Sequence, residues 1–457
     1  MKKLRAIIAI ALAAIMALCM AGCGSTPAQT TAAPETTLAP ETTAAPETEA
    51  AETEAETEEE TEAEVSGEYD YPARYLWYNA DGTINRTQRG EESRGFDMKK
   101  YIDSPLGEFD IEHYYLMSLG SRNTMDTGIV NHWAALGMEK VIYHGDEEFN
   151  EQSTCPDYAV YCPTNIAAGT KMPVLFVNHG GGQKIFNIES FGYIEEAAKR
   201  GWLVVAPHWG IGDETQVFDT LAQQAGCTRE SYVFRATWEE VKQNYDVDES
   251  RVYVAGYSGG GNAAGYMAQE NADIIAAASP ATGAAIQGSG VAGGDLGADP
   301  MALIAANRLG MMMVYGMCDT EMRWPISEEL HEMGKGVSKT VEERLAEVNG
   351  WITSCGATTT TTMDEVNAYF SELNNDDTQP ASVKFGLNFD NEYSKTVEGG
   401  LTYQFGEDYD KDGKVIVRFM AVPQTGHWVT YMWAEEVCEF FSHFSRNPET
   451  HELIIEE

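Results

Sequence analysis

The chain has 457 residues, of which 43% are hydrophobic, and a formal net charge of −42 at pH 7. A chain of this length can bury a large core, in one big domain or in two smaller ones. The strong acidity excludes nucleic acid as a partner, because nucleic acids carry charge of the same sign. We interpret the acidity mainly as a source of solubility.

The first residues are typical of a secretory signal. Three basic residues precede an apolar run from Ala6 to Met20, which is shorter than the roughly 20 residues that span a bilayer. A Met-Ala-Gly-Cys motif that ends at Cys23 follows and resembles the bacterial lipobox. We expect residues 1–23 to be a lipoprotein signal and the lipid on Cys23 to anchor the chain to the outer face of the cell membrane. The alternative is an ordinary signal peptide with an incidental cysteine.

Two segments separate this signal from the main domain. Residues 24–65 are almost wholly Ala, Pro, Glu and Thr, and the unit Ala-Pro-Glu-Thr starts at Ala33, Ala39 and Ala45. Low hydrophobicity and repulsion between like charges predict an extended, disordered linker. Residues 66–140 are rich in aromatic side chains and fit no repeat, and we interpret them as an extension that packs on the main domain.

Short apolar runs alternate with amphipathic stretches over residues 141–447, which favours the α/β class with a mostly parallel sheet covered by helices on both faces. The predicted strands are Val141–His144, Tyr158–Cys162, Val174–Asn178, Leu203–Pro207, Val252–Gly256, Ile274–Ser279, Met311–Gly316 and Val415–Val422. The first two could be leading antiparallel strands of the same sheet. Helices are expected at Ile188–Arg200, Tyr232–Tyr245 and Tyr431–Phe444.

The alternation breaks over residues 326–410, before the last strand. Helical patterns lie around Ser327–Met333, Thr340–Val348 and Met363–Leu373, with a threonine run between the last two. Long insertions of this kind usually lie at the edge of a sheet where the loops carry the functional residues. We therefore predict a helical insertion, or cap, over that edge of the sheet.

The motif Gly256-Tyr257-Ser258-Gly259-Gly260 directly follows a predicted strand and precedes a stretch compatible with a helix. This context is that of a nucleophile elbow, in which glycines permit the sharp turn that lifts a serine hydroxyl out of the sheet. Ser258 is the predicted nucleophile. The alternative is a glycine turn without chemical consequence.

The motif His179-Gly180-Gly181-Gly182 follows another predicted strand. Acyl transfer needs backbone N–H donors aimed at the developing oxyanion, and glycines let those donors approach closely. We expect the oxyanion hole to consist of Gly180, Gly181 and the N–H of Gly259. A purely structural turn is the alternative.

A serine nucleophile needs a base, and the base needs an acid that orients it. Asp319 follows one predicted strand and His427 follows the last one, in the order Ser, acid, His that this architecture uses. We predict Asp319 as the acid, with Glu321 in reserve, and His427 as the base. Tyr257, Trp324 and Trp428 are the candidate substrate-binding side chains.

Neither a metal nor a cofactor is expected. Asp408-Tyr409-Asp410-Lys411-Asp412-Gly413 resembles the start of a calcium loop, but Phe419 stands where that loop needs a glutamate. We favour an acidic β-turn over a calcium site. Six cysteines remain after Cys19 and Cys23 are set aside, and their pairing is open because export permits disulfides without requiring them.

These motifs carry a resemblance to a known group of enzymes. The segments Asp157–Pro207 and Asp246–Thr282, with the motifs around Asp319 and His427, resemble polyhydroxybutyrate depolymerases and the related feruloyl and acetylxylan esterases. The resemblance implies an α/β-hydrolase fold, no cofactor, and action on polysaccharide-borne esters, small esters or short-chain polyesters. About 100 residues separate Asp319 from His427, more than is usual in this group, which leaves the shape of the pocket open.

Two other functions remain as alternatives. A serine peptidase of the same fold would share the triad, although the chain has no evident acid pair that would recognise a peptide amine. A surface lipoprotein that binds a ligand without catalysis would share the fold but would have no use for an intact triad.

Overall fold

A computed structural model of the chain describes residues 133–144, 154–181, 185–209, 216–282, 301–317, 340–373, 378–397, 402–423 and 431–456. The predicted signal with Cys23, the linker and most of the N-terminal extension therefore lie outside the described residues. The helix expected around Ser327–Met333 does so as well. Within these ranges, no helix has both the length and the hydropathy that crossing a bilayer would require.

Ten strands form a single sheet in the described part of the chain. They are β1 (Met138–Tyr143), β2 (Tyr158–Pro163), β3 (Met172–Asn178), β4 (Leu203–Pro207), β5 (Val247–Tyr257), β6 (Ala277–Ala281), β7 (Gly310–Gly316), β8 (Asn391–Thr396), β9 (Thr402–Tyr409) and β10 (Val415–Val422). Their order in space is β1-β2-β4-β3-β5-β6-β7-β10-β9-β8.

The strand directions define the fold class. Strands β4, β3, β5, β6, β7 and β10 pair in parallel, whereas β1 and β2 are antiparallel to each other and β2 is antiparallel to β4. The order from β1 to β10 is that of the α/β-hydrolase fold, so the predicted fold class is confirmed. The two leading strands are antiparallel, as expected.

Nine helices lie within the described residues. They are α1 (Tyr193–Arg200), α2 (Gln216–Ala225), α3 (Arg229–Asn244), α4 (Gly259–Glu270), α5 (Ala302–Asn307), α6 (Val341–Cys355), α7 (Met363–Glu372), α8 (Ala381–Phe385) and α9 (Tyr431–Ser442). Helix α1 packs against α9, whereas α2, α3 and α4 pack in series. Every residue of β3, β4, β6 and β7 is buried, which is the pattern of a parallel sheet covered on both faces.

Some boundaries differ from the predictions for identifiable reasons. Strand β1 begins at Met138, inside the predicted extension, and Trp133 is fully buried with its ring 5.9 Å from that of Tyr161. Strand β6 begins later than expected, because the N–H groups of Ile274 and Ile275 both bond to the carbonyl of Asn271 and prolong a turn. The end of the extension thus belongs to the core.

One predicted helix is split in two. A 3-10 helix spans Ile185–Ser190, and α1 starts only at Tyr193. Between them Gly192 has a φ of 83°, in the left-handed region that glycine adopts readily.

The insertion also differs from a purely helical cap. Its described part contains α6, α7 and α8, but β8 and β9 add two antiparallel strands to the sheet beside β10. Tyr393 of β8 lies opposite Phe405 of β9, and their rings stack 4.7 Å apart. The sequence of β8 is polar and five of its six residues are exposed. Because it lacks an alternation of apolar and polar residues, the sequence pattern does not predict this edge strand.

The C-terminal residues form a small hairpin beyond the predicted end of the domain at residue 447. Strands β11 (Phe444–Arg446) and β12 (Leu453–Ile455) pair antiparallel. The guanidinium of Arg446 is buried and donates to the carbonyls of Ile275, Asn307, Arg308 and His451. This one side chain therefore joins the hairpin to the strands and turns that precede β6 and β7.

The acidic segment between β9 and β10 forms a β-turn, as favoured from the sequence. One oxygen of the Asp410 carboxylate accepts the N–H groups of Asp412 and Lys414, both at 2.9 Å, and the other binds Arg308 at 2.5 Å. Gly413 has a φ of 78° and its N–H closes the turn on the carbonyl of Asp410. The carboxylate thus stabilises the turn itself.

The buried carboxyl of Asp408 predicts a pH-dependent stability. Both of its oxygens are buried, and burial, followed by the charge of nearby Asp390, raises its pKa from 3.8 to about 8. The native state therefore keeps a proton that the unfolded chain loses at lower pH. The contribution of this carboxyl to the free energy of unfolding is fully present below pH about 4 and is lost as the pH rises to about 8. The free energy of unfolding falls over this range by at most about 1.4 kcal/mol per pH unit.

Asparagine is neutral at every pH, so Asp408→Asn should gain stability relative to the parent as the pH rises from about 4 to about 8. Above that range the difference should become constant. Urea unfolding at three pH values measures it. A difference that stays constant over this pH range would contradict the assignment.

Candidate active site

Ser258 occupies a strained backbone position at the end of β5. Its φ is 56° and its ψ is −120°, a combination that a residue with a side chain rarely adopts and that costs of the order of 1–3 kcal/mol. Its N–H donates to the carbonyl of Ala281 at 3.1 Å and lies 3.3 Å from the hydroxyl oxygen of Thr282. Helix α4 begins at the next residue, so the serine lies at a sharp turn from strand to helix.

Two glycines make this turn sterically possible. A Cβ atom on Gly256 would lie 2.0 Å from the carbonyl oxygen of Gly260. A Cβ atom on Gly260 would lie 2.2 Å from the carbonyl oxygen of Asn178 and 2.3 Å from that of His179. The end of β3 therefore crosses the first turn of α4 at backbone contact distance, and no larger residue fits at either position.

The same crossing brings the predicted oxyanion residues together. A Cβ atom on Gly259 would lie 2.8 Å from the backbone nitrogen of Gly181. Gly180 is buried and Gly181 is exposed, whereas Ser258 and Gly259 are half-buried. Gly259 is also the first residue of the twelve-residue helix α4, where free N–H groups and the helix dipole favour negative charge. The arrangement can stabilise an oxyanion beside the serine.

A stack of aromatic rings lies beside the His-Gly-Gly-Gly motif, here called the glycine loop, and it was not predicted from the sequence. The imidazole of His179 is fully buried, and its centroid lies 5.5 Å from that of the His208 ring and 5.4 Å from that of the Trp209 ring. The indole N–H of Trp209 donates to the carbonyl of His179 at 3.0 Å, and its ring borders Gly259. His208 and Trp209 directly follow β4, and this position at the carboxyl edge of the sheet was the only signal that could have found them.

His179 is held in its neutral form. Burial, and to a smaller extent repulsion from His208, lower its pKa to about 3. Its Nδ1 lies 2.9 Å from the carbonyl oxygen of Gly180, which makes Nδ1 the protonated nitrogen. The neutral ring thus packs against the backbone of Gly180 and supports the glycine loop.

Tyr257, a candidate substrate-binding residue, is 6% exposed. Its ring packs edge-on against that of Phe191 with centroids 5.8 Å apart. The backbone of Tyr257 leads directly into the elbow. Its role in substrate binding stays a prediction.

Asp319, Trp324, His427 and Trp428 lie outside the described residues, as does the reserve acid Glu321. The strands that lead to the predicted acid and base are nevertheless described. Strands β7 and β10 are parallel neighbours that end in register at Gly316 and Val422. Since adjacent strands are about 4.8 Å apart, the two loops start roughly 10 and 15 Å from the elbow, at the same edge of the sheet.

The strand order defines an α/β-hydrolase fold, and Ser258 occupies the sharp strand-to-helix turn where the sequence predicts the nucleophile. No protein-family model matches the chain. Over 140 residues it is 30% identical to a bifunctional acetylxylan esterase/xylanase of Neocallimastix patriciarum. The match covers 30% of this chain and 20% of that protein, so the chain spans about a fifth of the relative's length.

Solved structures with similarity include esterases and a peptidase. The acetyl xylan esterase from Aspergillus awamori gives a TM-score of 0.40 at 13% identity, over 66% of this chain and 99% of that one. A ferulic acid esterase gives 0.32 at 15% identity, over 48% and 86%. A putative dipeptidyl aminopeptidase IV from Bacteroides ovatus gives 0.39 at 11% identity, over 67% and 35%.

These TM-scores are low, and the fold assignment rests on the chain's own strand order. The expected resemblance to acetylxylan esterases is confirmed by the match to the Neocallimastix patriciarum protein, and a ferulic acid esterase is among the similar solved structures. The ester-hydrolase class predicted from the motifs agrees with that match.

The close crossing at the elbow predicts a sharp difference between two glycine substitutions. Gly260→Ala places a methyl group against two backbone carbonyls, so unfolding free energy should fall by about 3 kcal/mol or more. Gly181→Ala, where a Cβ atom meets no atom of the described residues within 4 Å, is the matched control and should stay within about 1 kcal/mol of the parent. Urea unfolding compares them, and equal losses would refute the described packing.

Proposed function

We propose that the chain is a serine esterase that hydrolyses carboxylic esters with Ser258 as nucleophile. The observation that carries the proposal is the strained backbone of Ser258, with Gly181 and Gly259 packed beside it. Strain of this kind persists only where the surrounding structure enforces it, and it clusters at functional sites. A glycine at position 258 would have formed the same turn without strain.

In the proposed mechanism His427 removes the proton of the Ser258 hydroxyl, and the oxygen attacks the carbonyl carbon of the ester. The N–H groups of Gly259 and of Gly180 or Gly181 stabilise the oxyanion. His427 then gives its proton to the departing alcohol, which leaves an acyl group on the serine. Water, deprotonated by the same histidine, releases the acid. Asp319 orients the imidazole and stabilises its positive form.

The proposed substrate class is carboxylic esters borne on polysaccharides. The match to a bifunctional acetylxylan esterase/xylanase supports acetyl esters of xylan as the first candidates. Feruloyl esters and short-chain hydroxybutyrate esters are the other members of the proposed range. No cofactor enters the mechanism, because the acyl transfer is balanced by the serine, the imidazole and water.

The proposed location is the outer face of the cell membrane. The lipobox-like motif supports attachment through Cys23, and the acidic linker over residues 24–65 would hold the catalytic domain away from the lipid surface. Such a position suits an enzyme whose substrate is a polymer outside the cell.

Growth with a labelled fatty acid followed by isolation of the chain tests the anchor, and Cys23→Ala should remove the label.

Replacement of the nucleophile is the direct test of the activity. Ser258→Ala should lower kcat for p-nitrophenyl acetate by about 10⁴-fold or more, because no other group can form the acyl intermediate. Ser442→Ala, at the exposed end of α9, is the control and should keep full activity. A Ser258→Ala variant with parental turnover would refute the nucleophile.

The two alternative classes give different outcomes with the same protein. A fluorophosphonate probe should label the parent and not Ser258→Ala, whereas a binding protein without catalysis would stay unlabelled. A peptidase would cleave peptide p-nitroanilides faster than acetyl, feruloyl and hydroxybutyrate esters.

Trp209 is proposed as a positioning residue for the oxyanion loop. Trp209→Phe keeps an aromatic ring beside His179 but removes the N–H that holds the carbonyl of that residue. We expect kcat to fall about tenfold with KM changed less than about twofold, since a displaced donor affects the transition state most. Trp351→Phe is the control, because that buried indole N–H has no partner among the described residues. Equal kcat values for the two variants would contradict the role.

A further inference from the structure

Three potential metal ligands converge far from the elbow in sequence. His144 follows β1, Cys155 precedes β2, and Glu240 lies in the second half of α3. The His nitrogen, the Cys sulfur and a Glu carboxylate oxygen all lie within 4.8 Å of one another. Cys155 is 6% exposed, whereas the side chains of His144 and Glu240 are 37% and 30% exposed. The group is therefore closed on one side and open to solvent on the other.

The three side chains are held in place by their neighbours. Nε2 of His144 lies 2.7 Å from the Glu240 carboxylate, and the hydroxyl of Tyr158 donates to the same oxygen at 3.1 Å. The rings of Tyr143 and Tyr158 stack 4.7 Å apart. Tyr143, the residue before His144, also shares a hydrogen bond of 2.8 Å with the hydroxyl of Tyr245.

The backbone on both sides of the group is fixed as well. The hydroxyl of Tyr232 on α3 donates at 2.9 Å to the carbonyl of Thr154, directly before Cys155. His144 has a φ of 57°, a left-handed conformation that is unusual for a residue with a side chain and often marks a functional position. This conformation occurs at the residue that completes the group.

We propose that His144, Cys155 and Glu240 bind one Zn²⁺ ion. A thiolate, an imidazole and a carboxylate together are a donor set that zinc accepts and that magnesium and calcium do not favour. Tetrahedral zinc with bonds of about 2.0–2.3 Å needs ligand atoms roughly 3.3–3.8 Å apart. The nitrogen of His144 and the oxygen of Glu240, 2.7 Å apart, would therefore separate slightly, and any pair of ligand atoms near the 4.8 Å limit would close by about an ångström. Water would fill the fourth position on the open side.

Binding is balanced by the release of protons. The Cys155 thiol loses its proton to solvent when sulfur binds the metal. Nε2 of His144, which faces the Glu240 carboxylate at 2.7 Å as a donor, gives up its proton to Nδ1 of the ring or to solvent and then binds the metal through the freed lone pair. The hydroxyl of Tyr158 stays on the Glu240 carboxylate as an outer hydrogen bond, the kind of contact that orients metal ligands. The site does not depend on the proposed esterase activity, and Ser258→Ala should bind zinc as the parent does.

Cobalt substitution tests the site with a signature that acidic surface residues cannot produce. The full chain, stripped with a chelator and reloaded with Co²⁺, should show a sulfur-to-cobalt charge-transfer band in the near ultraviolet that Zn²⁺ abolishes. Competition with a chromophoric chelator should give one tight Zn²⁺ per chain. Cys155→Ser should lose the band, and His144→Ala should weaken zinc binding at least tenfold.

Cys162→Ser, on neighbouring β2 and outside the group, is the matched control and should keep both the band and the affinity. Because Cys155 is buried, circular dichroism of the metal-free variants establishes that they fold, and exposed His144 supplies a variant with little effect on packing. A band that persists in Cys155→Ser, or zinc affinity unchanged in folded His144→Ala, would overturn the proposal. Absence of the band in the parent would overturn it as well and would mean that Glu240 is only a hydrogen-bond acceptor.

Discussion

The backbone crossing between the end of β3 and the first turn of α4 is the constraint on which the candidate site depends. The carbonyls of Asn178 and His179 approach Gly260 so closely that not even a methyl group fits between them. Because β3 and β5 are paired neighbours, the loops that leave them start side by side. The crossing then brings Gly181 against Gly259. Geometry at this one contact therefore fixes the relation between the predicted nucleophile and the predicted oxyanion donors.

The strain at Ser258 is maintained by strands that cannot relax. Strand β5 is paired on both sides by parallel strands, and β3 and β6 are buried along their whole length. The serine N–H is held by the strand end at Ala281 and Thr282, so a flip of the peptide would leave a donor without a partner. Such a loss costs about as much as the strain it would relieve. The strained turn at Ser258 is therefore stable, because the flipped peptide would gain little free energy over it.

The sequence revealed the features whose signal is local. Gly256, Ser258 and Gly260 could be found because an elbow requires fixed spacing, and the buried strands because parallel sheets need continuous apolar runs. Strand β8 could not be found, since an exposed edge strand needs only backbone pairing and its polar sequence carries no alternation. Trp209 follows a strand as many residues do, and only the folded chain shows its N–H on the carbonyl of His179. The group around Glu240 was missed for the same reason, because its members come from separate elements.

The two sites are connected by a short series of contacts along the sheet. The carbonyl of Asp157, two residues after Cys155, accepts the N–H of His208 at 2.8 Å, and the ring of His208 stacks on His179 beside the glycine loop. Contact alone does not produce coupling, because coupling requires an element with two arrangements that both sites bias. These contacts run between ends of buried, paired strands, where a second arrangement would break ladder hydrogen bonds. A metal bound at the proposed site would therefore act on the free energy of unfolding, through its preference for the folded chain, rather than on the geometry of Ser258.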